Sequence, residues 1–331
     1  MTSARASAHG SPRLSAVSES LALAVDFGGT KVEAGLVDAS GRLIAASRSH
    51  AQTGATATSG QLEDAVASVV RHALSAAGSR VGDLVGVGIG SAGPIDVHEG
   101  TISPLNVPAW RAYPLKSLVA ELVQEVAGDL PVTLRIDGEA IAIAEHWVGA
   151  AQGTEHMIGM VVSTGVGGGI ISGGRTVPGR HGNAGHIGHV GVPGPESVVR
   201  CACGGIGCVE AIASGPRSVA WARDQGWAGE SGEDLAASAA AGDPIARAAI
   251  RRSAAAVGAS IVSAAAMLDL EVVAIGGGFS RVSPDYLDLV RQPLTDPQLF
   301  TSELRVVASG LGADGPLIGA GGLIHRADRL G

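Results

Sequence analysis

The sequence predicts an α/β protein of two domains, and three observations carry that expectation. Short apolar runs suited to strands alternate with stretches of helical periodicity along most of the chain. A strand, a glycine turn and a second strand follow one another at residues 21–37 and again at 157–171, an internal duplication of architecture. With 331 residues and 46% hydrophobic side chains, the chain is long enough for two α/β domains and has ample material for their cores.

The first 20 residues carry Ser, Ala and two Arg but lack the apolar core of a secretory signal, so they read as a disordered extension. Residues 21–25 are an apolar strand ending in Asp26-Phe27-Gly28-Gly29-Thr30-Lys31, and 32–38 alternate as a second strand, making a hairpin closed by a Gly-Gly turn. Apolar spacing predicts a helix over 61–77, a strand over 84–90, a helix over 116–127, a strand over 132–136 and a helix over 139–151, just after Asp137. The duplicate opens with a strand over 157–163, which enters Thr164-Gly165-Val166-Gly167-Gly168-Gly169 and continues into Ile170-Ile171 as a paired strand. An Ala-rich helix over 243–268, a strand over 272–275 entering Gly276-Gly277-Gly278, and a closing helix over 317–329 complete the chain.

Charge narrows the partners. The formal net charge is −8, from 23 Lys and Arg against 31 Asp and Glu, and no basic run exceeds two residues, which argues against a nucleic-acid surface. The longest uncharged apolar stretch, 253–268, is rich in Ala and Ser and stops at Asp269, short of a membrane span. Small soluble partners are expected.

Several motifs match by letter only. Asp26-Phe27-Gly28 has the spelling of a protein-kinase metal triplet without that family's companion motifs. Gly88, Gly90 and Gly93 fit a dinucleotide fingerprint, but Pro94 follows and no acidic residue lies about twenty positions on to hold a ribose. No P-loop is present. The turns at Gly28-Gly29-Thr30 and Thr164-Gly165-Val166-Gly167 fit phosphate chemistry better: each offers unhindered amides and a hydroxyl, so together they can hold the phosphate tail of a nucleotide between two domains, with a third turn at Gly276-Gly277-Gly278. Asp26, at a strand end, suits a Mg²⁺-associated role, directly or through water.

All three cysteines, Cys201, Cys203 and Cys208, lie within eight positions, and His189 stands twelve residues upstream of the first. Three thiolates and an imidazole are the ligands tetrahedral zinc prefers, and four protein ligands leave no open position, so the expected zinc is structural. Metal-bound thiols and the lack of an export signal point to the cytoplasm.

Asp26-Phe27-Gly28-Gly29-Thr30-Lys31, Ser163-Thr164-Gly165-Val166-Gly167-Gly168-Gly169, Gly185-His186-Ile187-Gly188-His189, Cys201-x-Cys203-Gly204-x-x-Gly207-Cys208-x-Glu210 and Ile275-Gly276-Gly277-Gly278 together resemble the ROK family of sugar kinases and sugar-responsive repressors, over residues 21 to 328. The zinc motif is the most specific part of the match. The resemblance implies a two-domain actin-like ATPase (ribonuclease H-like) fold with an interdomain active-site cleft, binding ATP with Mg²⁺ and transferring the γ-phosphoryl group to the primary hydroxyl of a hexose, as a glucokinase does. On it the chain divides into a small domain over 21–138, a large domain over 139–318 that carries the zinc loop, and a C-terminal helix over 319–331 packing back on the small domain. It matches Asp137 to the catalytic aspartate and His189 and Glu210 to sugar contacts. Beside it, Asp26, Gly28, Gly29, Thr30, Lys31, Thr164, Gly165, Gly167, Gly277 and Gly278 in and around the glycine turns are the candidates for ATP, and Asn106 on a Pro-restricted loop, Asp137, Glu139 and His186 are further candidates for the sugar. A homodimer or homotetramer is the expected assembly.

The chain also departs from the family. Ile136-Asp137-Gly138-Glu139 stands where family glucokinases usually have Asn-Asp-Ala-Asn, and His186 replaces a sugar-binding glutamate. Sites built around hydroxyl partners discriminate steeply when one partner is lost. These departures favour a modified hexose such as an amino sugar, an N-acetylhexosamine or kanosamine, or a C7-cyclitol as the alternative substrate. A sugar-sensing regulator would need a helix-turn-helix segment of roughly 60–80 residues before the first phosphate turn. Only 25 residues precede Asp26, so a kinase is the expectation.

Overall fold

The computed structural model describes residues 20–295 and 303–331; residues 1–19 of the expected N-terminal extension lie outside them. In chain order the elements are β1 (Leu21–Phe27), β2 (Lys31–Asp38), β3 (Ser49–Gln52), α1 (Ser59–Ala77), β4 (Leu84–Ser91), β5 (Ile95–Asp96), β6 (Thr101–Ile102), α2 (Leu115–Ala127), β7 (Val132–Ile136) and α3 (Asp137–Trp147). The duplicate supplies β8 (Met157–Val162), β9 (Val166–Ser172), β10 (Arg175–Thr176), α4 (Val209–Ala213), α5 (Gly215–Asp224), α6 (Gly232–Ala240), α7 (Pro244–Leu268), β11 (Val272–Gly276), α8 (Tyr286–Arg291), β12 (Arg305–Ala308) and α9 (Gly315–His325).

The two sheets have one topology. In the first, β3-β2-β1-β4-β7, an antiparallel hairpin β1–β2 is extended by parallel β4 and β7; in the second, β10-β9-β8-β11-β12, the hairpin is β8–β9 and the parallel strands are β11 and β12. In β1 every residue except Asp26 is buried. That run of apolar side chains on both faces is what a central strand requires. A core around Leu23, Phe27, Ile89 and Trp110 fills the first lobe, and one around Met160, Ile250, Ile275 and Tyr286 fills the second.

Local chemistry fixes the helix ends. Thr58 and Gln61 form a reciprocal capping box at the start of α1, and the Asp243 carboxylate accepts from the amides of Ile245 (2.9 Å) and Ala246 (2.8 Å) ahead of α7. Helix α3 begins at Asp137 itself rather than at residue 139 and ends at Trp147 rather than 151. There the buried Glu145 carboxylate takes the Ala150 amide (2.8 Å) and turns the chain. The closing helix runs over Gly315–His325, with residues 327–329 as a separate 3-10 turn.

Helices α3 and α9 exchange partners. Helix α3 follows the first sheet but packs on β8 and β9, whereas α9 follows the second sheet but packs on β1 and β4, and the two cross in contact. Glycine permits both packings: a β-carbon at Gly319 would overlap the Ala140 carbonyl at the crossing, and one at Gly138 the Gly168 carbonyl of β9. No helix among the described residues is long and apolar enough to cross a membrane.

Candidate active site and zinc centre

Asp137 is the first residue of α3, so the β7–α3 junction places it where the chain passes from the first sheet to the second. Its Oδ1 accepts from the Gly138 amide at 2.8 Å. Burial pushes its pKa up to about 6, with the nearby Glu210 carboxylate adding to the shift and the Gly138 amide opposing it. Asp26, the one incompletely buried residue of β1, lies nearby: a β-carbon on Gly90 would stand 3.7 Å from both its Oδ1 and the Asp137 α-carbon. Burial first, then Asp137 and Glu33, raise it to about 7, against the lowering pull of Lys31 and Arg48. Asp26, Asp137 and Glu210 therefore form an acidic cluster, which Lys31 and Arg48 offset only in part at Asp26.

The glycine turns frame this cluster. In the first, the Gly28 amide donates to the Lys31 carbonyl (2.9 Å) and Thr53 braces the loop through the Gly28 and Thr30 carbonyls (3.0 and 2.9 Å), leaving Thr30 exposed. In the second, Thr164 is exposed, the Ser163 amide donates to the Gly165 carbonyl (2.8 Å), and Glu210 Oε2 accepts from the Val166 amide (3.0 Å). Gly277, in a left-handed conformation at φ +96°, presses on the Val162 carbonyl, so the third turn borders the second. Beside it opens a cavity of about 530 Å³ bounded by Ile275, Gly276, Ser280, Arg281 and Arg247.

Lys31 is not free in this arrangement: its Nζ donates to Glu33 Oε2 at 2.6 Å, and Arg48 binds the same carboxylate (3.1 Å) while reaching Asp314 (2.7 Å). Burial raises the Glu33 pKa, but Lys31 and Arg48 outweigh it and hold the group below its ordinary value. Sequence reading passed over Glu33 and Arg48. The signal for Glu33 was its two-residue spacing from Lys31, which places both on one face of β2.

The exposed Asn106 lies against Gly29, closing over the first turn. His186 and Ile136, the two departures from the family pattern, meet at one place. A β-carbon at Gly93 would stand 2.9 Å from His186 Cε1 and 3.5 Å from Ile136 Cγ2. Burial, then His189, lower the His186 pKa against the pull of Glu210. Glu139 is placed differently: it is 1% exposed and ion-paired to Arg135 (3.2 Å), with burial raising its pKa despite that partner.

His189, Cys201, Cys203 and Cys208 converge, their ligand atoms all within 4.8 Å of one another. Cys203 Sγ lies 3.7 Å from Cys208 Sγ, and Cys201 Sγ 3.7 Å from His189 Nδ1. Zn–S bonds of about 2.3 Å put two tetrahedral thiolates about 3.8 Å apart, so donor set and spacing both fit zinc. The hairpin-like loop is closed by pairing of Arg200 with Ile206 and Gly191 with Cys208, and the Gly205 amide donates to Cys203 Sγ (3.4 Å), which favours a thiolate there. Glu210 follows Cys208 by two residues at the start of α4, so the metal loop and the acidic cluster are continuous in the chain.

Two sheets of identical strand order, joined by exchanged helices around an acidic, glycine-lined cleft, define an actin-like ATPase fold. Within that class, the chain belongs to the ROK family, which matches residues 22–327. It is 31% identical to the glucokinase of Streptomyces coelicolor over 340 aligned positions, covering 94% of this chain and 99% of that protein. It is 35% identical to an N-acetylmannosamine kinase of Escherichia coli over 312 positions, covering 93% and 99%. The crystal structure of a ROK family glucokinase from Streptomyces griseus in complex with glucose and AMPPNP superposes with a TM-score of 0.76 at 32% identity, over 92% of this chain and 99% of that one.

Proposed function

We propose that this protein is an ATP-dependent sugar kinase that transfers the γ-phosphoryl group of ATP to the primary hydroxyl of a hexose. The observation that carries the reading is the position of Asp137, at the N-terminus of α3, between the two glycine turns and beside Glu210. Its carboxylate accepts the hydroxyl proton as the sugar oxygen bonds to phosphorus and the bridging bond to ADP breaks. The loose transition state of phosphoryl transfer demands alignment more than early deprotonation, and a base near pKa 6 is ionised at neutral pH. The turns at Gly28-Gly29-Thr30 and Thr164-Gly165-Val166-Gly167 hold the phosphates, and the cavity beside Gly277 and Gly278 receives the nucleoside end. Asp26 would hold Mg²⁺, which neutralises phosphate charge when bound. Asn106, His186, His189 and Glu210 face the sugar, and the zinc ligands keep the last two in register.

A modified hexose is the second reading, favoured by the convergence of Ile136 and His186 on Gly93 and by relatives named N-acetylmannosamine kinase. Neither residue offers the carboxylate and amide that a run of plain hydroxyls would use. The metal-ligating thiols support a cytoplasmic location, and the family resemblance supports a homodimer or homotetramer. A phosphotransfer screen with coupled ADP detection over glucose, mannose, N-acetylhexosamines, amino-deoxyglucoses and cyclitols tests the reading. Sugar-dependent ADP release from at least one is expected; none would refute the assignment.

A further inference from the structure

The ribbon β5–β6 belongs to the first lobe, and the loop 178–186 that ends at His186 belongs to the second; one side chain ties them together. Asn183 Oδ1 accepts from the Ile95 amide at 2.9 Å, and Asn183 Nδ2 donates to the Ile95 carbonyl at 2.7 Å. A primary amide used in this way imitates a strand neighbour, satisfying both backbone groups of one residue at once. Ile95 is 5% exposed, so neither of its backbone groups has bulk water as a ready substitute. The contact continues on both sides. The Val97 amide donates to the His181 carbonyl (3.3 Å), and Gly182, at φ +84°, comes so close to Val97 that a β-carbon there would overlap its methyl.

What the two segments carry gives the tie its meaning. From Ile95 the ribbon leads through Thr101 and Ile102 to the loop of Asn106, with the Ser103 amide donating to the Pro94 carbonyl at 2.8 Å. Three residues after Asn183 comes His186, lying against Gly93. Asn183 thus joins the loop bearing His186 to the ribbon bearing Asn106, two sugar-facing groups contributed by different lobes.

We propose that Asn183 is a positioning residue for the sugar: it latches the two lobes across the mouth of the cleft and so fixes the spacing between His186 and Asn106. This rests on the sugar-kinase reading. Asn183 itself bonds Ile95 and not the glycine turns, and only the Asn106 loop beyond the ribbon reaches Gly29, so its loss acts mainly on the sugar side. Misplacement of about 1 Å in a positioned group can cost about 10²-fold, which sets the scale of the effect.

The test is steady-state kinetics of the full chain and of Asn183→Ala, on the best hexose from the screen. The expected result is a sugar KM raised on the order of tenfold to 10²-fold with the ATP KM within about twofold of wild type. Asn183→Asp keeps the acceptor for the Ile95 amide but sets a carboxylate against its carbonyl, and should raise the sugar KM likewise; it decides the matter if the alanine variant does not fold. An unchanged sugar KM in the folded variant, or equal losses for sugar and ATP, would overturn the latch. A wild-type protein that phosphorylates no hexose would instead overturn the sugar-kinase reading on which it rests.

Discussion

At Asp137 a single carboxylate carries two measurable consequences. Asp137→Asn keeps the shape but cannot take the proton, so kcat should fall by about 10²–10⁴-fold while sugar binding, read by isothermal titration, stays near wild type. Because burial raises the Asp137 pKa from 3.8 to about 6, wild-type kcat/KM should decline as pH drops through about 6. The same shift sets a stability dependence of definite sign. The folded state binds this proton more tightly than the unfolded chain, so the stabilisation is complete below about 4 and lost as pH rises through about 6. Denaturant titrations at pH 8 should therefore find Asp137→Asn more stable than wild type, by on the order of 3 kcal/mol. A less stable variant at that pH would mean that the carboxylate is better solvated than its surroundings indicate. Ile136 and His186 give the substrate test: if they choose the sugar, Ile136→Asn with His186→Glu should shift relative kcat/KM toward glucose. Wild-type preference for glucose over every modified hexose would show the two departures to be compensated.

Among the elements, the zinc loop was the most legible in the sequence, because soft ligands at short spacing have few other uses, and the structure brings all four together. Purified protein should carry one zinc per chain by elemental analysis. Cys203→Ala should lose it, and because Glu210 leaves the same loop to hold the Val166 amide, sugar affinity should fall with stability. Strong periodicity made β1, β2, α1, β7 and α7 readable to within a few residues. What escaped has a physical reason. Strands β3, β10 and β12 are two to four residues long and α4 is five, too short for a period to register, and their form comes from partners distant in sequence. In the site the turns and acids were visible as motifs. The Lys31–Glu33–Arg48–Asp314 chain was not, since ion pairs across 266 residues leave no local trace. Neither was the amide latch at Asn183, which reads as an ordinary loop asparagine.

For the whole molecule, the duplicated sheets explain why one site forms between two similar halves, and the exchanged helices explain how the halves stay joined. Helix α3 carries Asp137 at its first residue and rests on the second sheet, while α9 rests on the first, so any change in their crossing shifts Asp137 relative to the glycine turns. The crossing is tightest where Gly319 meets the backbone of Ala140, one turn beyond Asp137. Gly319→Ala would force a methyl into that carbonyl and part the helices. Overpacking of this kind costs about 1–3 kcal/mol, which guanidinium titration can resolve. Gly60 makes the control, for it is exposed in the first turn of α1 with nothing within 4 Å of a β-carbon, and Gly60→Ala should be neutral or stabilising by up to about 1 kcal/mol. The lobes meet through α3 and α9, so Gly319→Ala should also lower kcat without selectively raising either substrate's KM. That separates it from a change at Asn183, whose effect falls on the sugar. Wild-type stability together with wild-type kcat in Gly319→Ala would show that the crossing relaxes freely and does not set the position of Asp137.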